Sequence, residues 1–335
     1  MDGIPQDYTG PGLVDIQLNG YAGLDFNGDP EEWTLEAWRG IADNLKQRGV
    51  VAALPTLVTD DVDRMLARAA RYAELVDADE TLANRFPRLH VEGPFVSPED
   101  GPRGAHPKQF CSTPREHPDF LERIHDASGH RVAIVSLAPE IEGTRDVIER
   151  CNELRICASI AHTQADHSTL NDAVRAGARL SSHLGNGSHQ TLPRLDNYVQ
   201  AQLADDRLMA SFIADGHHMP FSTLKNFIRA KTPARSILIT DAIAAAECGP
   251  GRYEFAGQDI EVSESGRASA PGSPNLAGST LTLDRAVMNV AANCDLPWGE
   301  AWSMASTRPA ELLDLRPPAE VTVQISDSGF QFLHV

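Results

Sequence analysis

The sequence has few of the features that mark secreted or membrane proteins. It has 5 cysteines among 335 residues; they are scattered, and no C-x-x-C pair occurs. A disulfide framework or a cysteine-zinc site is therefore not expected. The cysteines are expected to be reduced thiols in a cytoplasmic protein. No apolar run reaches the roughly 18 residues of a membrane span. The first ten residues, MDGIPQDYTG, contain two acids and no basic residue or apolar stretch, which argues against a signal peptide.

Positive charge is also scarce. The chain has 29 Lys and Arg against 47 Asp and Glu, which gives a formal net charge of −18. Such a charge repels polyanions, which argues against nucleic-acid binding as the main role. An anionic small substrate would need a local cluster of Arg, Lys or His that overcomes the repulsion.

Short apolar runs rich in β-branched residues alternate with amphipathic stretches along most of the chain. Near-continuous apolar runs are typical of strands that are buried on both faces. Strand-helix alternation indicates a parallel sheet, and eight units in 335 residues predict an α/β protein with a (β/α)8 TIM-type barrel. An open doubly wound sheet is the alternative. The predicted strands are 13–18, 50–59, 88–92, 132–137, 157–161, 178–183, 209–215 and 236–241.

Three of the amphipathic stretches are predicted to be helices, at 34–48, 62–75 and 168–176. In the last of them, Ser168 is expected to be the N-cap and Gly177 to end the helix.

No repeat, low-complexity block or linker divides the sequence. Residues 11–315 are therefore predicted to form one catalytic barrel, and 1–10 and 316–335 to be terminal segments related to a small β-domain. A glycine-containing loop at 274–282 is predicted to lead into a helix and to be a weak candidate for a ligand contact.

Polar side chains of the types that bind metals or transfer protons follow the predicted strands. In a barrel, the carboxyl ends of all strands meet on one face, where the active sites of this fold lie. Residues that are far apart in the sequence are therefore expected to meet there. The residues concerned are Gln17, Asn19, Glu92, His162, His183, Asp215, His218 and Asp241.

Glu92, His162 and His183 are the candidate metal ligands. Taken singly, Glu92 is as well explained as a salt-bridged strand-end acid, and each histidine as a hydrogen-bonded structural residue. Together on one face, they form the set of three ligands with an open position that is typical of catalytic zinc sites.

Asp241 follows the last predicted strand and is the candidate general base and acid. The alternative for Asp241 is the N-cap of a following helix, where aspartate is favoured. Asp215 and His218 are less clearly assigned, although one histidine is expected to face a substrate carbonyl. His217 is expected to be structural.

Loops beyond these strands contain candidates for contacts with a sugar or a phosphate. For Arg194 and Lys108, exposure to solvent without a ligand is the alternative, because isolated basic residues are common on surfaces. The candidates are Asn186, Gly187, Arg194 and His106, with Arg103 and Lys108 flanking His106.

Ten short motifs occur in an order and at spacings that resemble one known family. They are PGLVDIQLNG (11–20), LPTLVT (54–59), HVEGP (90–94), LAPE (137–140), AHT (161–163), SHLGN (182–186), IADGHH (213–218), ITDA (239–242), LAGSTLT (276–282) and STRPAELLDL (306–315). Together they resemble the N-acetylglucosamine-6-phosphate deacetylases of the amidohydrolase superfamily. The resemblance implies metal-dependent hydrolysis of the acetamide of an N-acetyl amino-sugar phosphate. The expected reaction converts N-acetylglucosamine 6-phosphate to glucosamine 6-phosphate and acetate.

The resemblance also implies roles for individual residues. It makes Glu92, His162 and His183 the metal ligands. It makes Asp241 the catalytic acid and base, and it places His218 beside the acetyl carbonyl. The implied sugar contacts are His106, Asn186 and Gly187, with Arg194 on the phosphate.

One divalent metal ion per chain is expected. Some members of the family carry H-x-H on the first strand and bind two metals, but here the stretch reads Gln17-Leu18-Asn19. Amides are poor ligands for zinc-like cations. Zinc is the first expectation, with iron, manganese and cobalt as alternatives. The resemblance further implies a homodimer.

Two departures from the family pattern affect these expectations. Only about ten residues precede the first predicted strand, so the accessory β-sandwich of the family is expected to be reduced or absent. The loop after His183 differs around Gly185 and at TLPRLDN (191–197). The alternatives are therefore another N-acyl substrate, such as an N-acyl amino acid or a different N-acetylhexosamine phosphate, or a non-catalytic sugar-binding barrel.

Overall fold

Strands and helices alternate through the computed structural model, which describes residues 4–273, 275–315, 319–326 and 329–334. The strands are β1 (Asp7–Pro11), β2 (Leu13–Leu18), β3 (Gly20–Tyr21), β4 (Leu24–Asp25), β5 (Val50–Val58), β6 (Leu89–Glu92), β7 (Val132–Leu137), β8 (Cys157–Ile160), β9 (Leu180–Ser181), β10 (Met209–Ile213), β11 (Ser236–Ile239), β12 (Gly251–Phe255), β13 (Gln258–Val262), β14 (Ala268–Ser269), β15 (Glu320–Ser326) and β16 (Gly329–His334). The α-helices are α1 (Leu35–Gln47), α2 (Val62–Ala78), α3 (Glu80–Arg85), α4 (Phe120–Ala127), α5 (Thr144–Glu153), α6 (His167–Ala176), α7 (Tyr198–Ala204), α8 (Phe221–Lys231), α9 (Leu283–Asn293), α10 (Trp298–Met304) and α11 (Thr307–Leu312).

Eight parallel strands form the central barrel. They are hydrogen-bonded in the order β2, β5, β6, β7, β8, β9, β10, β11. The last strand meets the first just beyond its end, where Leu18 bridges to Ala242 in parallel and the N–H of Asp241 donates to the carbonyl of Gln17 at 3.0 Å. The predicted (β/α)8 barrel is therefore confirmed, because an open doubly wound sheet has no such closure.

Five of the eight barrel strands end earlier than the sequence predicts. All residues of β2, β6, β7, β8 and β11 are buried, as the apolar runs indicate. However, the predicted strand 178–183 is reduced to Leu180–Ser181, and 236–241 ends at Ile239. The chain turns at the polar residues that follow, and this turn breaks the ladder of hydrogen bonds between strands.

Local capping explains the helix boundaries. The hydroxyl of Thr34 accepts the N–H of Ala37 at the start of α1. Helix α6 is capped by Asp166, whose carboxylate accepts the N–H of Thr169. The prediction of Ser168 as the cap is therefore wrong, because an equally favourable aspartate precedes it by two residues. Gly177 ends the helix with a φ of 118°, as predicted.

Strands β1, β15 and β16 form a three-stranded antiparallel sheet in that order. It packs on α10, where the ring of Tyr8 lies 4.9 Å from that of Trp302 and the indole N–H of Trp302 donates to the carbonyl of Pro11. The relation of this small sheet to the accessory β-sandwich of the family stays a prediction. The division of the chain at residues 11 and 315 stays a prediction; in the terminal segments, residues 1–3, 316–318, 327, 328 and 335 lie outside the described residues.

A second small sheet of β12, β13 and β14 was not predicted. It follows the last barrel strand and packs a separate apolar cluster that contains Val58, Ile243 and Phe255. The side chain of Gln258 donates to the carbonyl of Ala105, which joins the insertion to the loop after β6. In β13, only Ile260 and Val262 are buried. The segment therefore lacks the long apolar runs that identified the barrel strands in the sequence.

The described helices include none that is both long and apolar enough to cross a membrane.

Candidate active site

A cavity of about 760 Å³ opens at the carboxyl end of the barrel. Most of the predicted site residues line it, although they come from separate strands and loops. The predicted residues in its wall are Asn19, Glu92, His106, His162, His183, Asn186, Gly187, His218 and Asp241.

Three of these residues lie two positions after the end of a barrel strand, in the left-handed backbone conformation. The φ angles are 49° for His162, 32° for His183 and 51° for Asp241. Positive φ is uncommon outside glycine, although His and Asp adopt it more readily than most residues, and such backbone strain tends to occur at functional sites. The turn of the chain at these three positions directs their side chains into one cavity.

Glu92 is at the centre of the cluster. Its Oε1 lies 2.7 Å from Nε2 of His183 and 3.1 Å from Nε2 of His162, and its Oε2 accepts the amide N–H of Gln17 at 3.1 Å. Burial alone would raise the pKa of Glu92, but its contacts with the imidazoles of His162 and His183 lower it well below the usual range. The carboxyl is therefore ionised, which is the form that binds cations.

The imidazole of His162 is held in one orientation. Its Nδ1 lies 2.8 Å from the carbonyl oxygen of Pro102. Gly187 has a φ of +54°, and a Cβ there would lie 2.6 Å from the same Nδ1. A side chain at position 187 would therefore displace the ring, which gives this predicted ligand-contact residue a definite structural role.

The hydrogen-bond partners of His162 indicate a cation. The carbonyl of Pro102 can only accept, so Nδ1 carries a proton and the Nε2 of a neutral His162 is a lone pair. That lone pair faces Oε1 of Glu92 at 3.1 Å and Nε2 of His106 at 3.0 Å. Acceptors that converge in a buried site require a proton or a metal ion between them. The residues present thus fit a divalent cation.

The geometry adds His106 to the possible ligand set. One ligand atom each from Glu92, His106 and His162 lie within 4.8 Å of one another, whereas His183 meets the group through Glu92. Burial and the neighbouring His162 lower the pKa of His106 to about 3, so its ring is neutral. The predicted set of Glu92, His162 and His183 stays a prediction, and the sequence did not indicate how close His106 comes to it.

Asp241 lies next to this cluster and is held by two amides. Its Oδ1 accepts from Nδ2 of Asn19 at 2.7 Å and from Nε2 of Gln17 at 3.2 Å. Burial raises the pKa of Asp241, and the negative charge of Glu92 adds to the shift although His183 opposes it. The element after β11 is a strand, so Asp241 is not the N-cap of a helix, and that alternative is wrong.

The amides on the first strand take the place where some family members carry histidines. The side chain of Gln17 donates to Glu92 and Asp241, and Asn19 donates to Asp241. An amide offers a cation only its carbonyl oxygen, which is a poor ligand for zinc-like cations. The number of metal ions per chain stays a prediction.

Asp215, which the sequence left without a clear role, orients His218. Its Oδ2 lies 2.7 Å from Nδ1 of His218. Burial raises the pKa of Asp215, but the hydrogen bond to His218 outweighs burial, and the pKa of Asp215 is lowered. The Nε2 of His218 is thereby left for the cavity. His217 is exposed, and its Nε2 donates to the carbonyl of Ser265 in the β12–β14 insertion.

The structure does not bring all predicted contacts to the cavity. Arg194 and Lys108 are exposed and are not among the residues that line it. Arg103 does line the cavity, and so does Phe255 of the unpredicted insertion. Within a single subunit Arg194 does not reach the cavity wall, and the expected contact between Arg194 and a phosphate stays a prediction.

A buried carboxyl beneath Asp241 is expected to make stability depend on pH. Oδ2 of Asp15 accepts the hydroxyl of Thr240 at 2.6 Å, and burial raises the pKa of Asp15 from 3.8 to about 7. A carboxyl with a raised folded-state pKa stabilises the fold fully below its unfolded pKa. This contribution is lost as the pH rises through the folded-state value.

In the wild type, this effect is expected to lower the free energy of unfolding by on the order of 1–4 kcal/mol between about pH 4 and pH 8. Asp15→Asn is expected to remove this pH dependence. Denaturant unfolding at a series of pH values measures this, with the exposed Asp43→Asn as control. Equal pH slopes for the wild type and Asp15→Asn would contradict the prediction.

Comparison with known proteins places the chain among sugar-phosphate deacetylases. It is 30% identical over 307 residues to the N-acetylglucosamine-6-phosphate deacetylase of Bacillus subtilis, with 91% of this chain and 75% of that protein covered. It is 33% identical over 303 residues to the N-acetylgalactosamine-6-phosphate deacetylase of a Shewanella strain, with 90% and 73% covered. No protein-family model matches the chain.

A similar solved structure is the N-acetyl-D-glucosamine-6-phosphate deacetylase of Mycobacterium smegmatis in complex with N-acetyl-D-glucosamine 6-phosphate. It has a TM-score of 0.86 and 26% sequence identity, and the match covers 98% of this chain and 87% of that one.

Proposed function

Because the chain belongs to the N-acetylglucosamine-6-phosphate deacetylase family of the amidohydrolase superfamily, we propose that it hydrolyses the acetamide of N-acetylglucosamine 6-phosphate. Water is consumed, the bond between the acetyl carbon and the sugar nitrogen breaks, and the products are glucosamine 6-phosphate and acetate. The observation that carries the proposal is the convergence of Glu92, His106 and His162 on one point of the cavity, with Asp241 beside it.

Glu92, His162 and His183 are proposed to hold the metal ion, with His106 within reach of the same point. A divalent cation at this position polarises an amide carbonyl and makes a water molecule nucleophilic near neutral pH. The set of one carboxylate and two imidazoles suits zinc, and iron, manganese and cobalt are alternatives. Metal analysis of the purified protein decides among them.

Asp241 is proposed to move the proton. Its carboxylate takes a proton from the attacking water and delivers it to the amine nitrogen as the carbon–nitrogen bond breaks, since an amine anion is a poor leaving group. Burial raises the pKa of Asp241, which makes it a better proton acceptor and donor near neutral pH. The amides of Asn19 and Gln17 keep its Oδ1 in place.

His218 is proposed to stabilise the oxygen of the acetyl carbonyl. Asp215 accepts from Nδ1, so a protonated His218 presents the Nε2–H to the cavity. A donor that is already oriented before the reaction stabilises the charge that develops on the oxygen. The proposed sugar contacts are His106, Asn186 and Gly187, all of which line the cavity.

The test is acetate release from N-acetylglucosamine 6-phosphate, measured beside its galacto and manno isomers. We expect the gluco isomer to give the highest kcat/KM. The galacto isomer is the main competitor, since a relative at 33% identity is an N-acetylgalactosamine-6-phosphate deacetylase. Acetate release from none of the three would contradict the proposed function. Faster release from the galacto isomer would change the proposed substrate to the galacto sugar and leave the proposed reaction unchanged.

The homodimer and the cytoplasmic location also remain proposals that rest on the family. Light scattering of the purified protein tests the oligomeric state.

A further inference from the structure

The carboxylate that is proposed to move the proton is on a strained turn of the backbone. Asp241 has a φ of 51°, a conformation that residues other than glycine rarely adopt and that persists only where the surroundings impose it. Asp241 also lies two positions after the end of β11. Contacts with other segments must therefore hold the turn.

Asp15, a buried residue of β2, holds the residue before the turn through both of its carboxylate oxygens. Its Oδ1 accepts the backbone N–H of Thr240 at 3.3 Å, and its Oδ2 accepts the hydroxyl of Thr240 at 2.6 Å. The same Oδ1 accepts the backbone N–H of Gln17 at 3.2 Å. Because the side chain of Gln17 donates to Glu92 and to Asp241, Asp15 fixes the backbone of two segments that meet at the catalytic carboxylate.

The hydroxyl of Thr240 also bridges the turn. While it donates to Asp15, it accepts the backbone N–H of Ala242 at 3.2 Å. Asp241 therefore lies between two residues that are joined through one hydroxyl. A hydroxyl has one proton to donate and lone pairs to accept, so it makes both contacts, whereas a valine side chain of the same shape makes neither.

Ser279, in the glycine-containing loop before α9, holds the turn from a second segment. Its hydroxyl donates to the carbonyl of Thr240 at 2.6 Å, and its backbone N–H donates to the carbonyl of Asp241 at 2.9 Å. The close approach of this loop requires a glycine, because Gly278 has a φ of +65° and a Cβ there would lie 3.1 Å from the carbonyl oxygen of Asp241.

We propose that Asp15, Thr240 and Ser279 are positioning residues, which hold Asp241 in the orientation from which its carboxylate reaches the attacking water. The proposal rests on the proposed function and extends it to residues behind the cavity, since none of these three lines the cavity wall. A displacement of about 1 Å in a reacting group can cost on the order of 100-fold in rate. Residues that fix the backbone beneath the base therefore affect kcat without contacting the substrate.

The first test removes single hydroxyl groups from the metal-loaded enzyme. We expect Thr240→Val to lower kcat for N-acetylglucosamine 6-phosphate roughly 10- to 100-fold, with KM and metal affinity within a few-fold of the wild type. Thr240→Ser keeps the hydroxyl and is expected to retain most of kcat. Ser279→Ala removes the other hydroxyl and is expected to lower kcat in the same way as Thr240→Val.

A matched control separates positioning from a loss of stability. Thr144→Val removes another buried hydroxyl, which donates to the carbonyl of Ile141 at 2.6 Å at the start of α5. We expect Thr144→Val to lower Tm and to leave kcat unchanged. An unchanged kcat in Thr240→Val would overturn the proposal, and so would an equal loss of kcat in Thr240→Ser.

A double-variant cycle tests whether the effect passes through Asp241. In the Asp241→Asn background, Thr240→Val should change the residual kcat by less than about twofold, because changes that act through one group are not additive. A loss of kcat by the same factor in both backgrounds would assign Thr240 a general structural role and overturn the proposal.

Crystal structures of the wild type and of Thr240→Val give a measure that does not depend on turnover. Oδ1 of Asp241 lies 2.7 Å from Nδ2 of Asn19 in the wild type, and in the variant we expect this distance to exceed the hydrogen-bond limit of about 3.5 Å. An unmoved Asp241 would overturn the proposal. If Asp241 moved but the wild type released no acetate, the proposed function would fail and the positioning of Asp241 by these residues would stand.

Discussion

Replacing Asp241 by asparagine is expected to lower kcat for N-acetylglucosamine 6-phosphate by roughly 10²- to 10⁴-fold, the usual contribution of a positioned general acid or base. Asparagine keeps the size of the side chain and an oxygen that accepts from Asn19, so the local structure is expected to persist. It cannot take a proton from water or return one to the amine. Bound metal should remain near the wild-type amount, because Asp241 is not one of the proposed ligands.

Steady-state acetate release together with metal analysis checks this prediction. Asp259→Asn, an exposed change in β13, is the matched control and should leave kcat unchanged. Turnover of Asp241→Asn within a few-fold of the wild type would remove Asp241 from the proton-transfer role. Loss of the metal along with activity would instead point to Asp241 as a ligand.

Glu92→Gln is expected to abolish tight metal binding. The loss of a partner behind a ligand typically costs 10- to 100-fold in metal affinity, so the loss of a direct carboxylate ligand should cost more than about 100-fold. The neutral amide also removes the charge that two imidazoles and the amide of Gln17 now face. Activity should fall in parallel with the metal content.

Competition with a chelator measures the metal affinity directly, and it does not depend on turnover. Glu99→Gln, an exposed carboxylate in the loop after β6, is the control for the loss of one charge nearby. Unchanged metal affinity in Glu92→Gln would show that the cation site is elsewhere. The circular dichroism spectrum of the variant should match that of the wild type, so that a folding defect is recognised separately.

The barrel was predictable because its cause is local. Strands buried on both faces need near-continuous apolar runs, and β2 and β7 occur at the predicted residues, 13–18 and 132–137. The ends of the strands were predicted less well. His162, His183 and Asp241 adopt positive φ, and this turn of the backbone ends each strand before the polar residue. Hydropathy does not show such a turn.

The β12–β14 insertion was missed for a related reason. Its strands are short and partly exposed, and its stability comes from packing on Val58 and Ile243, which lie elsewhere in the sequence. A pattern search within one window has no access to such contacts. As a result, the contribution of Phe255 to the cavity wall was also missed.

By itself, the sequence determined the barrel fold, the family and the residue types at the strand ends, because hydrophobic periodicity and ordered motifs are properties of the linear chain. Only the tertiary structure decided which acceptors share a point in space. It placed His106 against His162, Gln17 against Glu92, and Arg103 rather than Arg194 in the cavity wall. The first two contacts join residues that are 56 and 75 positions apart. Their geometry is set by how distant segments pack together, which the order of residues along the chain does not show.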